Sequence, residues 1–276
     1  MKTLSGKVAV VTGAGSGIGR SIAIALAAHG SHVVVADIQA ASAAAVRDEL
    51  MAQGARAIAV TVDVAQRESV VKLADEAWRE FGRVDVLCNN AGVSWRPFRT
   101  VLEATMEDWN FILGANVWGV VHGLDVFLPR MRGQAGEKHI VNTASLGGLL
   151  PLAGHTPYSA SKAAVAFISE GIAQELASEE FGVTVLCPGF VNTNVTANSD
   201  ALRPVNERAE NRKFTPFDNP LLKRLALTAM QPDTVGRMVC NAILDGTLYL
   251  NTQEVPPDIV EERMRTMFGP QTVGRA

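Results

Sequence analysis

The chain is short of cysteine, of net charge and of long apolar runs, and each shortage excludes something. Its three cysteines among 276 residues, Cys88, Cys187 and Cys240, are widely spaced and form no C-x-x-C unit. So sparse and odd a set argues against a disulfide framework and for reduced thiols, each serving as a small buried hydrophobe. The net charge is only −3 and no strongly basic patch stands out, which argues against nucleic acid as a partner. No uninterrupted apolar run reaches the ~18 residues expected of a membrane span. Met1 to Lys7 lead straight into an apolar strand, without the charged, apolar and small-residue regions of a signal peptide, so a cytoplasmic setting is expected. Asn194-Val195-Thr196 matches a glycosylation acceptor formally, which means nothing without secretion. No metal site, low-complexity linker or internal repeat is expected.

What is present is 47% hydrophobic and 19% charged residues, the balance of a globular chain long enough for one large α/β domain. Short β-branched runs alternate with amphipathic stretches. Strands are predicted at 8–11, 33–36, 57–62, 84–88, 139–143, 183–186 and 247–250. Helices are predicted at 16–29, 40–53, 67–81, 158–181 and 232–245, with a long helical stretch over 105–131 that reads as one piece or two. Strands of continuous apolar character, each followed by a helix, imply a parallel sheet covered on both faces. The expected fold class is therefore α/β: a single Rossmann-type, doubly wound, parallel seven-stranded sheet with helices on both faces, spanning 1–276 as one domain.

The turn Thr12-Gly13-Ala14-Gly15-Ser16-Gly17-Ile18-Gly19 joins the first strand to the first helix. Its glycines let the backbone approach a pyrophosphate, and the helix N-terminus adds free N–H groups and partial positive charge. Asp37 closes the second strand, where a carboxylate accepts hydrogen bonds from ribose hydroxyls and repels a 2′-phosphate. The next residue is Ile38 and the turn carries Ser16, so nothing local neutralises a phosphate, which favours NAD over NADP. A helix-capping role for Asp37 is the plainer alternative. Asp63 and Val64 follow the third strand and suit an adenine edge, Asp63 through its side chain and Val64 through its backbone; Asp63 could instead cap the next helix. Asn89-Asn90-Ala91-Gly92 follows the fourth strand and offers small residues and amides beside the cofactor, with Asn89 suited to locking neighbouring strands.

Tyr158 and Lys162 stand four apart at the start of an alanine-rich helical stretch, so they share one helix face. A free phenol, with a pKa of about 10, is a poor base at neutral pH, and a neighbouring cation favours the phenolate. Ser145 lies thirteen residues upstream of the tyrosine. With these pieces, Asn116 in Asn116-Val117-Trp118-Gly119, and Pro188-Gly189 with Thr193, the chain resembles the classical short-chain dehydrogenase/reductase family across roughly residues 5–195. The resemblance implies Tyr158 as general acid/base and Lys162 as the residue that assists it and holds the nicotinamide ribose. It implies Ser145 as the hydroxyl that orients the substrate oxygen, and Asn116 as a helix-kinking residue holding a water in a proton relay. Pro188, Gly189, Val191 and Thr193 are implied contacts near the nicotinamide.

The expected activity is NAD(H)-dependent interconversion of a hydrophobic, aromatic or alicyclic secondary alcohol and its ketone. The expected substrate pocket draws on Ser94, Trp95, Ser145, Leu146, Leu152, His155 and Phe190, with Arg96 in the same loop. Residues 193–228, with Pro204, Pro216, Pro220 and no clean periodicity, read as a substrate flap. The tail from about 252 departs from the family's usual glycine-rich end: it carries Pro256-Pro257 and a charged helix-like segment, Asp258 to Met267. A tail-mediated tetramer contact is thereby in doubt, while a homodimer through the helices of Asn116 and Lys162 remains open. A nucleotide-sugar epimerase or dehydratase on the same fold, and a dinucleotide-sensing protein with a relic site, are the competing readings.

Overall fold

A computed structural model describes residues 1–95, 100–150, 152–208 and 226–269. In its first half, apolar β-branched runs form β1 (Val8–Thr12), β2 (His32–Asp37), β3 (Ala57–Thr61) and β4 (Val86–Asn89). Between them lie α1 (Gly17–Ala28), α2 (Ala40–Ala52) and α3 (Arg67–Phe81). Then come α4 (Met106–Leu113), a π-helical turn (Gly114–Trp118) and α5 (Gly119–Arg132). The second half adds β5 (Lys138–Thr143), α6 (Leu146–Leu149), α7 (Thr156–Glu175), β6 (Phe181–Cys187) and α8 (Val195–Ala201). It closes with α9 (Pro232–Asp245), β7 (Tyr249–Asn251) and α10 (Pro257–Phe268).

The seven strands form one sheet in the order β3-β2-β1-β4-β5-β6-β7, and every pairing is parallel. Strand β1 therefore pairs with both β2 and β4, and the winding reverses beside it. A crevice opens outside the carboxyl ends of strands at such a reversal. The central strands are apolar on both faces because both are covered. Val33 and Val35 pack with Ile22, Leu26 and Leu50 in one core, and Val10, Val34 and Leu87 pack with Leu73 and Phe127 in the other. Buried Asn89 donates to Asn142 Oδ1 at 2.9 Å, which ties β4 to β5 by side chains as well as main chain.

Helix α4 opens with a capping box: Asp108 N–H donates to Thr105 Oγ1 at 3.2 Å, and Thr105 N–H donates to Asp108 Oδ2 at 3.0 Å. The same carboxylate accepts from Arg203 Nη1 at 2.7 Å, and the guanidinium lies over the Phe111 ring. Both partners are buried, so this pair fixes the chain after α8 to the start of α4.

Two expectations are corrected here. The helix predicted to 181 ends at Glu175, and Phe181 opens β6, because the β5 partner demands a strand there. The segment read as lacking periodicity contains α8 and a short turn of helix at Val205–Glu207; residues 209–225 of that flap lie outside the described residues, as do Arg96 and the end of the tail. The stretch Met106–Arg132 is, by length and composition, apolar enough to cross a membrane. In this fold it buries Ile112, Asn116, Val120, Phe127 and Met131 inside the protein, as a core helix does.

Helices α1 and α9 pack side by side, and Gly236 makes their approach possible. A Cβ there would lie 2.3 Å from the Ser21 carbonyl oxygen, while Ser21 Oγ donates to Pro232 O at 2.6 Å. Gly236→Ala should therefore cost about 1–3 kcal/mol of stability through overpacking, read as a lowered urea midpoint at unchanged m-value. A variant as stable as the parent would contradict this account of the contact.

Candidate active site

The crevice at the strand ends is a cleft of about 460 Å³. Its first wall is the glycine turn. Gly13 has a left-handed backbone (φ +65°), and a Cβ there would sit 2.8 Å from Ala91 Cα; at Gly19 it would sit 2.1 Å from the Gly13 carbonyl oxygen. Glycine is thus required to bring β1, α1 and the Asn90–Gly92 loop together. Ser16, at the cap of α1, makes no capping bond with its side chain, and the first turn holds no acidic residue. The N–H groups of that turn have no helical partners, and Gly17, Ile18 and Gly19 line the cleft. Free donors at a positive helix end, cradled by glycine, fit an anionic pyrophosphate.

Asp37 stands at the end of β2, 8% exposed, and lines the cleft beside Ile38. Its Oδ2 accepts from Gly15 N–H at 2.8 Å and its Oδ1 from Gln39 N–H at 2.9 Å. The carboxylate thus secures the turn and the entry to α2, and each oxygen retains a lone pair for a ribose hydroxyl. Gly15 is consequently not part of the cleft wall: it faces Asp37 and Ser42. Asp63 and Val64 also line the cleft, and Asp63 Oδ1 accepts from Ala65 N–H at 3.0 Å, so Asp63 braces its own turn while the cap position of α3 falls to Gln66.

Thr12 is a residue that sequence reasoning overlooked. Its hydroxyl accepts from the N–H groups of Asn90 and Ala91, both at 3.0 Å, and donates to Cys88 O at 3.3 Å. Asn90 Nδ2 returns a bond to Thr12 O at 2.9 Å. A threonine at the strand–turn junction, opposite a second polar loop, was the available signal.

Tyr158 and Lys162 project from the first turns of α7 into the same cleft. The Lys162 side chain is buried, with Nζ 5.8 Å from the Tyr158 ring centre and donating to Thr143 O at 2.7 Å. Burial pushes its pKa from 10.5 down to about 8, against a partial pull upward from Cys187. Cys187 itself is pushed up to about 12, chiefly by burial. The ammonium therefore stays largely protonated at neutral pH. The His155 ring stacks on the Tyr158 ring at 4.4 Å between centres and 15° between planes.

Asn116 sits in the π-helical turn and is fully buried. Its Oδ1 accepts from Val93 N–H at 2.7 Å, and its Nδ2 donates to Val93 O and Ser161 Oγ at 3.1 and 3.0 Å. A Cβ on Gly92 would lie 2.9 Å from Asn116 Oδ1 and 3.3 Å from Lys162 Nζ, so the missing side chain brings amide and ammonium to one spot. Ser145 caps α6: its Oγ accepts from Gly147 N–H at 3.1 Å and donates to Pro188 O at 3.4 Å. Neither Asn116 nor Ser145 is part of the cleft wall, though Thr143 and Ala144 next to Ser145 are.

Of the remaining expectations, Pro188, Gly189, Val191 and Thr193 line the cleft, as do Asn90, Ala91 and Gly92. The expected substrate residues Ser94, Trp95, Leu146, Leu152, His155 and Phe190 do not. Trp95 is fully buried with Val93 and Ile112, and its large apolar ring packs as core. Leu146 joins Val120, Ala144 and Val165 in another cluster. Instead, Val195, Asn198, Ser199 and Leu202 present one face of α8 and its C-terminal end to the cleft. Asn198 Nδ2 donates to Ser16 Oγ at 3.2 Å, and Ser94 N–H donates to Ser199 Oγ at 2.9 Å. The i, i+3, i+4, i+7 spacing was present in the sequence, but its mixed polarity hid it from a search for apolar periodicity.

Residues 7–203 match the family described as short chain dehydrogenase. A short chain dehydrogenase/reductase from Burkholderia phymatum, solved in complex with NAD, aligns with a TM-score of 0.85 at 37% identity, over 97% of this chain and 95% of that one. A C alpha-dehydrogenase of Sphingobium sp. (strain NBRC 103272 / SYK-6) is 32% identical over 269 residues, 97% of this chain and 86% of that protein. A 7 alpha-hydroxysteroid dehydrogenase, complexed with NADH and 7-oxo glycochenodeoxycholic acid, aligns with a TM-score of 0.76 at 26% identity, over 91% of this chain and 94% of that one.

The depressed pKa of Lys162 carries a consequence for stability. The unfolded chain holds this proton up to pH 10.5, the folded one only to about 8, so the buried charge opposes folding below pH 8. The contribution of Lys162 to stability then rises with pH from 8 to 10.5 as that opposition is relieved, while the buried thiols, whose pKa values are raised, act in the opposite direction above pH 9. Lys162→Met, which removes the charge but orphans Thr143 O, should gain about 1–2 kcal/mol over the parent at pH 7 in urea denaturation. The gain should shrink toward pH 10.5. A variant less stable than the parent at pH 7 would contradict the reading.

Proposed function

The chain belongs to the short-chain dehydrogenase family, and on that premise we propose that it is an NAD(H)-dependent oxidoreductase interconverting a hydrophobic secondary alcohol and its ketone. The observation that carries this reading is the convergence of Tyr158, buried Lys162, the glycine turn and Asp37 on one cleft. Gly13 and Gly17–Gly19 would hold the pyrophosphate, Asp37 the adenosine ribose, Asp63 and Val64 the adenine, and Lys162 with Val191 and Thr193 the nicotinamide end. Nicotinamide bound there supplies the hydride acceptor or donor. Tyr158 removes the hydroxyl proton in oxidation and returns it in reduction, with the Lys162 ammonium favouring the phenolate. Ser145, next in the chain to the cleft-lining Ala144, would orient the substrate oxygen and oppose the charge that develops on it once its weak 3.4 Å bond to Pro188 O is exchanged for the substrate. Asn116, bound to the Val93 main chain and to Ser161 Oγ, ties the loop after β4 to the helix that carries Lys162.

NAD rather than NADP is supported by the Asp37 carboxylate and the uncharged Ile38 and Ser16 around it. A bulky alicyclic substrate is supported by the 7-oxo glycochenodeoxycholic acid bound to the hydroxysteroid relative. A homodimer through α5 and α7 is supported by Trp118, in the π-helical turn that leads into α5, and Phe167 on α7, 54% and 73% exposed. Three free, buried cysteines fit a cytoplasmic setting.

Absorbance at 340 nm tests the reading, with secondary alcohols and NAD, then ketones and NADH. Turnover with at least one alicyclic or aromatic pair is expected, with NAD strongly preferred over NADP. Tyr158→Phe should lower kcat by about 10²–10⁴-fold and leave NADH binding intact. A variant keeping most of its kcat would defeat the assignment. Light scattering should give a dimer at micromolar concentration, and a monomer would defeat that proposal.

A further inference from the structure

The loop after β6 is held a second time, from outside the cleft. Strand β7 runs beside β6, and the ladder closes where Thr252 N–H donates to Cys187 O at 3.3 Å. Beyond that point side chains take over from main chain. Gly189 N–H donates to Thr252 Oγ1 at 3.0 Å, and Phe190 N–H donates to Gln253 Oε1 at 2.7 Å. Gln253 Nε2 donates in turn to the carbonyl and hydroxyl oxygens of Thr228, at 2.7 and 2.9 Å. On the other side, Met230 N–H donates to Phe190 O and Asn192 N–H to Met230 O, both at 2.9 Å. The Phe190 main chain is thus gripped through both its N–H and its carbonyl. A Cβ on Gly189 would lie 1.9 Å from Gln253 Oε1, so the glycine is what lets the amide lie against this loop.

We infer that Gln253 is a positioning residue for the cofactor end of the cleft. It stands outside the cleft wall, whereas Gly189, Val191 and Thr193, on either side of Phe190, form part of it. Only a neutral amide accepts from Phe190 and donates to Thr228 at once; a carboxylate accepts only, and a thioether does neither well. The inference rests on the reading of the cleft as a nicotinamide dinucleotide site, and it adds a residue from the tail, outside the matched span 7–203.

The test uses full-length parent, Gln253→Met and Gln253→Glu. Hydrogen–deuterium exchange without cofactor should rise in Gln253→Met about tenfold at 189–193 and 228–231, the scale of one lost hydrogen bond, with 12–19 unchanged. The NADH dissociation constant, by fluorescence titration, should rise about tenfold. The kcat at saturating NADH should stay within about threefold, so the loss falls on KM for NADH. Gln253→Glu, which keeps the Phe190 bond, should retain most of the NADH affinity while exchange at 228–231 still rises. Parent-like exchange and affinity in Gln253→Met overturns the inference, as does uniformly raised exchange that includes 12–19. A parent that binds no NADH overturns the cofactor reading instead, and the exchange pattern still decides whether Gln253 holds the loop.

Discussion

A lysine ammonium deprived of water sits at the centre of this structure. Lys162 is buried, and its ammonium donates to the Thr143 carbonyl at the end of β5. Burying a charge is costly, and the lowered pKa measures that cost. The fold keeps the ammonium because a sheet end, a helix and a loop meet there. β5 supplies the carbonyl, α7 carries the side chain, and Gly92 leaves the room. What the charge does in return is favour an anion next to it, and the neighbour on its helix face is a phenol.

The surrounding architecture turns this local arrangement into a site. Reversal of the winding beside β1 opens the crevice, and each loop leaving a strand end contributes one wall. Those loops are not independent. Thr12 binds the Asn90–Gly92 loop, Asp37 binds the glycine turn, and Asn116 binds Val93. The loop after β6 is fixed to residues 228–230 and to Thr252 and Gln253. Helix α8 reaches from that loop to Ser16 and Ser94, and the buried Arg203–Asp108 pair anchors its far end. A polar network of this kind specifies one arrangement of the walls, because each unmade bond in a buried place is expensive.

Much of this was legible in the sequence where the signal is local. The strand–turn–helix of Val8 to Ala28, the strand ending at Asp37 and the helix Pro232–Asp245 follow from short-range pattern, turn chemistry and caps. The i, i+4 spacing of Tyr158 and Lys162 already placed them on one face. What escaped depends on contacts distant in sequence. The π-helical turn around Asn116 answers to Val93 and Ser161; the family resemblance implied a kink there, but within 114–118 only Gly114 signals it locally. Residues 176–181 contain no helix breaker, so only the strand partner at β5 explains why α7 stops. Trp95 was read as a pocket wall because it is aromatic and near the site, and it is core for the same reason, its large apolar surface. Gly15 was grouped with the cofactor turn by spacing alone, while its N–H is committed to Asp37.

The central claim is electrostatic: the Lys162 ammonium biases the Tyr158 phenol toward its ionised form. The chain has only two tyrosines, so NMR of protein labelled at the phenolic carbon gives two resonances. Tyr249 serves as the internal reference, since burial and its bond to Glu170 raise its pKa above the ordinary value. Titrating the parent and Lys162→Met side by side should move the Tyr158 midpoint to higher pH in the variant and leave Tyr249 where it was. A Tyr158 midpoint that does not move when the ammonium is removed would contradict the account.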